Sequence, residues 1–245
     1  MRTNRIIIVG GGVAGARAAE AARSRFDGQV LLVGAEPSPP YQRPVLSKQV
    51  LAGTPVPDEL LWVASKSFYA ERRITLALGR PAAALRPDEG ELVLEGGEVL
   101  TFDRLVVATG SLPNRLDVEG AGLPGISTFR TLPEASALSA SLEPGLRLVV
   151  VGGGVLGLEL ASAAQALGAH VTLLERGSEV LRRTVGPQLA PQVTRWLQRA
   201  GLDLRLDSRV ARFIGGSSVE AVELASGERL PAERVVLALG VTPAT

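Results

Sequence analysis

The 245-residue chain has no cysteine, which excludes disulfide bonds, thiolate nucleophiles and cysteine-held metal or iron–sulfur sites. It has a single histidine, His170, so neither a histidine-rich metal site nor a Ser-His-Asp triad is expected. The N-terminal apolar run stops after Val9, far short of a membrane-spanning helix or a signal-peptide core. We therefore expect a cytoplasmic protein, and any electrons it transfers must travel on a bound organic cofactor.

The net charge and the aromatic content are also low. Lys and Arg number 26 against 25 Asp and Glu, so no overall field favours nucleic acid or a membrane surface as a partner. Only two tryptophans occur, Trp62 and Trp196, and their apolar neighbours predict plain packing roles. His170 begins an apolar run, where a structural role is expected. The 46% apolar content is ample for two packed cores.

An internal repeat organises the chain. The run IIIVGGGVAGARAAEAA, from Ile6, matches LVVVGGGVLGLELASAA, from Leu148. Each copy reads as a buried strand, three glycines and a helix, and each is followed by a second apolar run that ends in an acid, Glu36 or Glu175. This alternation predicts parallel, doubly wound sheets.

Other segments complete the predicted architecture. A Pro-rich loop is expected at 37–48 and a polar helix at 65–73, followed by short strands at 91–94 and 98–101. Buried strands are predicted at 103–110 and 233–240. The fold class is therefore α/β, with two Rossmann-like doubly wound domains at 1–112 and 113–245, each with a small antiparallel β-meander.

Gly10, Gly12 and Gly15 stand in GxGxxG spacing between the first strand and its helix. Glycines at these positions allow a tight turn, close approach of a pyrophosphate and close helix–strand contact. Free N–H groups at the helix start stabilise the diphosphate charge. Glu36 follows at the spacing at which a carboxylate accepts hydrogen bonds from a ribose. The pattern predicts a dinucleotide site.

Gly152, Gly154 and Gly157 repeat the pattern, and Glu175 is the matching acid. A second dinucleotide is therefore expected. Glu175 should bind the ribose diol and repel a 2′-phosphate, which favours NAD over NADP. Arg176, Arg182 and Arg183 lie nearby and leave NADP open if they turn inward, although solvated positions for Arg176 and Arg182 are preferred.

The chain resembles the pyridine-nucleotide-dependent flavoprotein reductases, in particular the ferredoxin and rubredoxin reductase branch. The resemblance rests on seven segments that follow in family order over nearly all of the chain: VGGGVAGARAAE, VGAEPSPPYQRPVLSK, FDRLVVATG, FRTL, VGGGVLGLELA, VTLLERGSEVLRR and LALGVTP. It implies that the first motif holds FAD and the second NADH. Other branches carry redox-active cysteine beside the flavin, and this chain has none.

The resemblance also implies individual contacts. For FAD these are Gly10, Gly12, Ala14, Gly15, Ala35, Glu36, Arg43, Lys48, Ala82, Ala108, Thr109, Gly110 and Arg130. For NADH they are Val155, Leu156, Gly157, Glu159, Glu175, Arg183 and Gly240.

Lys48 and Glu159 are the candidate catalytic pair, because the family places a Lys–Glu ion pair beside flavin N5. The Lys stabilises charge on the reduced ring, and the Glu keeps it charged and fixed. The alternatives are a solvated loop lysine and an acid that complements the dipole in the first turn of its helix.

The implied activity is hydride transfer from NADH to FAD, followed by single-electron transfer to a small iron–sulfur protein such as a ferredoxin or rubredoxin. An NADH-dependent nitrite reductase subunit, an NADH oxidase-like enzyme and a truncated, non-catalytic NAD-binding or interaction module remain alternatives. Family members continue with a returning FAD-domain strand, a Gly-Asp pair that binds flavin, and an interface domain. The sequence ends at Thr245 before these segments, and weaker FAD binding is expected without them.

Overall fold

The computed structural model describes residues 4–65 and 67–244. It forms two compact units, and neither is a single continuous stretch of chain. Unit 1 comprises Met1–Gln42, Val56–Ser111 and Pro243–Thr245, and unit 2 comprises Arg43–Pro55 and Leu112–Thr242. The short segment Arg43–Pro55 therefore packs with the second half of the sequence.

The helices and strands are, in chain order, β1 (Arg5–Val9), α1 (Val13–Arg23), β2 (Gln29–Val33), α2 (Asp58–Leu61), α3 (Phe68–Glu71), β3 (Ile74–Ala77), β4 (Ala82–Arg86), β5 (Glu91–Leu94), β6 (Val99–Thr101), β7 (Arg104–Val107), β8 (Ser111–Pro113), β9 (Ile126–Thr128), α4 (Leu132–Ser141), β10 (Arg147–Val151), α5 (Val155–Ala166), β11 (His170–Leu174), α6 (Arg182–Val185), α7 (Ala190–Arg199), β12 (Asp203–Arg205), β13 (Val210–Gly215), β14 (Val219–Leu224), β15 (Arg229–Pro231), β16 (Arg234–Leu237) and β17 (Val241–Pro243).

Both units contain the predicted parallel sheet. In unit 1 the strand order is β3-β2-β1-β7, and in unit 2 it is β12-β11-β10-β16-β9. All neighbours within these two sheets run parallel. Buried strands of branched residues suit the centre of a sheet that is covered on both faces. The predicted α/β class is confirmed.

Each unit also has the predicted antiparallel meander. In unit 1, β4, β5 and β6 pair in sequence order, and Leu92 and Leu94 of β5 pack with Ile7 and Val9 of β1. In unit 2, β13, β14 and β15 pair in the same way. Their buried side chains, such as Phe213 and Val222, share a cluster with the central sheet. The meander therefore covers one face of each sheet.

The prediction of a buried strand at 103–110 is wrong in extent and in burial. Strand β7 spans Arg104–Val107, and Val107 is 60% exposed. It is the last strand of its sheet, whereas its counterpart β16 lies between β10 and β9 and buries three of its four residues. Sequence pattern alone does not separate these two situations, because both strands are equally apolar.

The predicted loop at 37–48 is partly helical. A 3₁₀ turn covers Arg43–Val45 and a π-helix covers Leu46–Val50, where the Leu51 N–H bonds the Leu46 carbonyl at 3.0 Å. The predicted polar helix at 65–73 is reduced to α3, and Lys66 lies outside the described residues. Such isolated π-turns are often found at functional sites.

The packing prediction for Trp196 is wrong, because this side chain on α7 is 65% exposed. Trp62 is half-buried, and its indole N–H donates to the Asp58 carboxylate at 2.9 Å. His170 is exposed at the first residue of β11. No helix within residues 4–65 and 67–244 has the length and apolarity needed to cross a membrane.

Helix α4 begins with a dense set of hydrogen bonds to one carboxylate. The Thr131 hydroxyl accepts from the Glu134 N–H, and Glu134 accepts in return from the Thr131 N–H at 2.8 Å. Glu134 also accepts from the Arg130 N–H at 2.9 Å and from the buried Thr128 hydroxyl at 2.5 Å. Burial opposes ionisation of Glu134, but these hydrogen bonds outweigh it and hold its pKa below the usual value.

The glycine turns join strand to helix at minimal separation. A Cβ built on Gly15 would lie 1.8 Å from the Gly10 carbonyl oxygen, and one built on Gly157 would lie 1.9 Å from that of Gly152. Both obstacles are backbone atoms, so they cannot move aside cheaply. At Gly154, in contrast, an added Cβ meets nothing within 4 Å.

We expect Gly157→Ala to destabilise unit 2 by more than about 3 kcal/mol, because the clash separates α5 from β10. Gly154→Ala is the matched control and should change stability by less than about 1 kcal/mol, since its extended backbone accepts alanine. Urea unfolding followed by circular dichroism measures both. Equal midpoints for the two variants would contradict this account of the turn.

We expect Glu134→Gln to lower stability at neutral pH by about 1–2 kcal/mol, because the helix cap loses its charged acceptor. The folded pKa of Glu134 is depressed, so its contribution is present above the ordinary value of 4.5 and is lost as pH falls through the folded pKa. The difference between wild type and variant should therefore shrink in acid. Urea titrations across that range test this.

The control is Glu143→Gln, which changes an exposed glutamate just beyond α4 and should shift stability by less than about 0.5 kcal/mol. A Glu134→Gln effect that persists unchanged in acid would mean that packing, not the carboxylate charge, dominates.

Candidate dinucleotide sites

In unit 1 the glycine turn opens onto the start of α1. Gly12 is the N-cap residue and offers no side chain to the helix, and an added Cβ there meets nothing within 4 Å. No acidic residue occupies the first turn, where Ala14 is exposed. The free N–H groups of this turn and the open space beside Gly12 suit an anionic group that approaches the backbone closely.

The other predicted contacts of unit 1 cluster at the same sheet edge. Ala35 and Glu36 follow β2, and Ala108, Thr109 and Gly110 follow β7; β2 and β7 flank β1. The carboxyl ends of neighbouring parallel strands meet at one edge, which is where open α/β sheets bind ligands. Five predicted FAD residues are therefore brought beside the glycine turn.

Side chains at this edge are already organised. The buried Tyr41 hydroxyl donates to the Glu36 carboxylate at 2.5 Å. The Thr109 hydroxyl donates to the Ala244 carbonyl at 2.5 Å, and the Ala244 N–H donates to Gly110 at 3.0 Å. Ala82 lies elsewhere in unit 1, exposed at the first position of β4 and paired with Leu94.

Unit 2 repeats the arrangement, and its acid accepts hydrogen bonds from the backbone. Glu175 follows β11, and its carboxylate accepts from the Gly153 N–H and the Gly177 N–H, each at 2.8 Å. Gly154 is the N-cap of α5 and has no capping side chain, and Val155 and Leu156 form the first turn. Each carboxylate oxygen retains a further lone pair, so Glu175 can brace the turn and still accept from a diol.

The loop after Glu175 folds back onto the same turn. The Leu181 N–H donates to the Gly153 carbonyl at 2.9 Å, and the Val180 N–H donates to the buried Thr194 hydroxyl at 3.1 Å. Arg183 and Arg182 are exposed on α6, and Arg182 pairs with Glu179. Arg176 is exposed as well. The loop is thus held by backbone and threonine contacts, while its arginines lie at the surface.

Gly240 follows β16 at the carboxyl edge of the unit 2 sheet. Its backbone has φ +83, a conformation that favours glycine, and its carbonyl accepts from the Asn114 N–H at 3.0 Å. It therefore occupies the position that Gly110 holds in unit 1.

The segment Arg43–Pro55 brings two predicted cofactor residues, Arg43 and Lys48, into unit 2. The Arg43 guanidinium donates to the carbonyl of Arg130, whose own N–H is held by Glu134. Lys48 lies on the π-helix and is exposed. Arg43, Lys48 and Arg130 therefore belong to the same compact unit as Glu159.

The sequence analysis placed Glu159 in the first turn of its helix, and this prediction is wrong. It is the fifth residue of α5, and the first turn has no acid. Dipole effects fall off within the first turn, so complementing the dipole does not account for this residue. Instead its carboxylate accepts from the Ser47 hydroxyl at 2.6 Å. Among the described residues Lys48 and Glu159 form no ion pair.

Sequence reasoning missed the residues that hold the site together. Ser47, Tyr41 and Thr194 are buried, and each bonds a predicted site residue or its loop. Ser47 and Tyr41 both fall inside the PYQRPVLSK segment, which already carried part of the family resemblance. The burial of a polar side chain, however, is visible only in the folded chain.

Comparison with known proteins agrees with this geometry. The family described as "Pyridine nucleotide-disulphide oxidoreductase" matches residues 4–245. The biphenyl dioxygenase system ferredoxin–NAD(+) reductase component of Paraburkholderia xenovorans (strain LB400) is 39% identical over 241 residues, which is 98% of this chain and 58% of that protein. The p-cumate 2,3-dioxygenase system ferredoxin–NAD(+) reductase component of Pseudomonas putida is 37% identical over 98% of this chain and 59% of its own length.

Among solved structures, the covalent putidaredoxin reductase–putidaredoxin complex matches with a TM-score of 0.92 and 34% identity. The match covers 99% of this chain and 60% of that one. The chain thus spans about three fifths of the length of these relatives. The chain has two glycine turns with one carboxylate beside each, and the family model matches nearly its whole length. It therefore belongs to the pyridine nucleotide-disulphide oxidoreductase family.

Proposed function

We propose that this chain is the FAD- and NADH-binding part of a cytoplasmic flavoprotein that passes electrons from NADH to a small iron–sulfur protein such as a ferredoxin. The observation that carries the proposal is the presence, in one chain, of two glycine-turn cradles, each with a carboxylate beyond its second strand. The names of the relatives, which are ferredoxin–NAD(+) reductase components, support the choice of acceptor.

The residues present fit two dinucleotides. In each unit a backbone-only turn leads into an uncapped helix start, and the open N-cap glycine, Gly12 or Gly154, leaves room for a diphosphate. The acids Glu36 and Glu175 then supply acceptors for ribose hydroxyls. Through the family resemblance we assign the unit 1 cradle to FAD and the unit 2 cradle to NADH.

Bound FAD would supply the chemistry itself, which is acceptance of a hydride and release of single electrons. The protein's part is binding, alignment and electrostatics. The residues proposed to contact FAD are Ala35, Arg43, Ala82, Ala108, Thr109, Gly110 and Arg130. Val155, Leu156, Gly157, Arg183 and Gly240 would complete the NADH site.

Lys48 and Glu159 are proposed as the residues beside the reacting atoms. Lys48 is exposed and ready to approach an electron-accepting ring, where its positive charge stabilises the negative charge that arrives with the hydride. Glu159 lies in the same unit, and its Oε1 atom accepts no hydrogen bond among the described residues. That oxygen is therefore available to Lys48.

The absence of cysteine limits the reaction further. Because the sequence has no cysteine, no dithiol of this chain can relay electrons from the flavin, although the family description mentions disulphide chemistry. A dithiol of this chain could therefore not carry electrons between bound FAD and an acceptor. This is the behaviour expected of a reductase whose partner carries its own redox centre.

The test is spectroscopic. We expect the chain, reconstituted with FAD, to show flavin bands near ~450 nm that bleach on anaerobic addition of NADH. Lys48→Met should slow this bleaching at least about tenfold at saturating NADH, because the charge matters most as the hydride arrives. A protein that binds NADH but takes up no FAD would instead be a nucleotide-binding module, and the proposal would fail.

Glu175 is proposed to set the preference for NADH over NADPH. Because its carboxylate faces the glycine turn, we expect Glu175→Gln to weaken NADH binding by about tenfold and to leave NADPH binding equal or stronger, since the repelling charge is gone. Isothermal titration calorimetry with both nucleotides measures the change. Glu220→Gln, an exposed acid on β14 of the same unit, is the charge-matched control. An unchanged ratio of the two affinities would remove Glu175 from this role.

A further inference from the structure

The segment that carries Lys48 also carries a buried hydroxyl. Ser47 is only 5% exposed, and it is one of three buried serine or threonine residues among those described, with Thr128 and Thr194. Helical serines commonly bond back to a carbonyl of the preceding turn. Ser47 instead donates across 112 residues of sequence to Glu159 Oε2 at 2.6 Å. This length is typical of a hydroxyl bonded to a charged carboxylate.

Two adjacent residues of the π-helix lie in different surroundings. Its i to i+5 hydrogen bonding is seen where the Leu51 N–H donates to the Leu46 carbonyl. Ser47 is buried on it, whereas Lys48 is exposed. The side chain that reaches Glu159 and the side chain left free to meet a cofactor are therefore neighbours in sequence.

We propose that Ser47 is a positioning residue that fixes the Glu159 carboxylate and leaves its second oxygen for Lys48. The inference rests on the proposed function for its catalytic meaning, but the hydrogen bond itself does not. One oxygen of Glu159 is held by the Ser47 hydroxyl, so the carboxylate cannot rotate freely about its last bond. Lys48 then finds its partner already oriented, and less side-chain entropy is lost when the two meet.

The competing explanation is that Ser47 only fills space between the π-helix and α5. Removing a hydroxyl that fills space lowers stability but leaves the contribution of Glu159 unchanged. Removing one that holds Glu159 makes the two substitutions non-additive. A double-mutant cycle therefore separates the two explanations without any cofactor.

The first experiment measures urea unfolding of the cofactor-free chain for Ser47→Ala, for Glu159→Leu, which removes the acceptor at similar size, and for the double variant. We expect the unfolding equilibrium constant of the double variant to be about tenfold smaller than the value obtained by adding the two single effects on the free energy of unfolding. Thr194→Val, which removes another buried hydroxyl of unit 2, is the matched control and should be additive with Glu159→Leu. Additivity in both cycles would overturn the inference.

The second experiment uses the FAD-reconstituted chain and stopped-flow reduction by NADH. We expect Ser47→Ala to lower the limiting reduction rate about threefold to tenfold with little change in the NADH concentration for half-maximal rate. The same substitution should have no further effect in the Glu159→Leu background, where the acceptor of the Ser47 hydroxyl is gone. Ser47→Thr, which keeps the hydroxyl, should restore most of the rate.

The outcomes separate the two proposals. If the wild-type chain with FAD is not reduced by NADH, the proposed function fails, while the unfolding cycle still decides whether Ser47 holds Glu159. If NADH reduces the wild-type chain, and Ser47→Ala changes the reduction rate neither with Glu159 present nor with it replaced, the positioning role is wrong and the proposed function stands.

Discussion

Close contact between strand and helix backbones at the two glycine turns is the constraint on which the structure depends. At Gly15 and Gly157 the helix passes so near the carbonyl at the end of the preceding strand that no side chain fits between them. This proximity aims the first N–H groups of α1 and α5 outward from the sheet edge. It also places Glu36 and Glu175, which follow the adjacent strands, beside the space those N–H groups face.

Sequence reasoning located this framework well, because the repeat, the glycine spacing and the branched strands each impose a local physical requirement. It was wrong where the outcome depended on tertiary neighbours. The apolar run of β7 looks like that of β16, yet only β16 has a strand on each side. Trp196 has apolar neighbours in sequence but lies on the exposed side of α7. Position in the sheet and orientation of a helix face are not encoded in a short window of residues.

The candidate site shows the same division. Residues required by backbone geometry, such as Gly15 and Gly157, were predictable from spacing. Those that act through a partner distant in sequence were not: Ser47 meets Glu159, and Arg43 meets the carbonyl of Arg130. The segment Arg43–Pro55 joins unit 2 although it lies within the first half of the sequence. Polar side chains near the proposed chemistry are thus organised by long-range contacts, while the cradles are organised locally.

The outer edge of β7 affects how the chain associates with other copies of itself. Within the described residues no strand pairs with its far side, so a row of backbone donors and acceptors lies next to exposed valine side chains. Such an edge is a template for intermolecular strand addition, and it has none of the lysines or prolines that commonly discourage this. We therefore expect self-association of the chain through this edge to rise with its concentration.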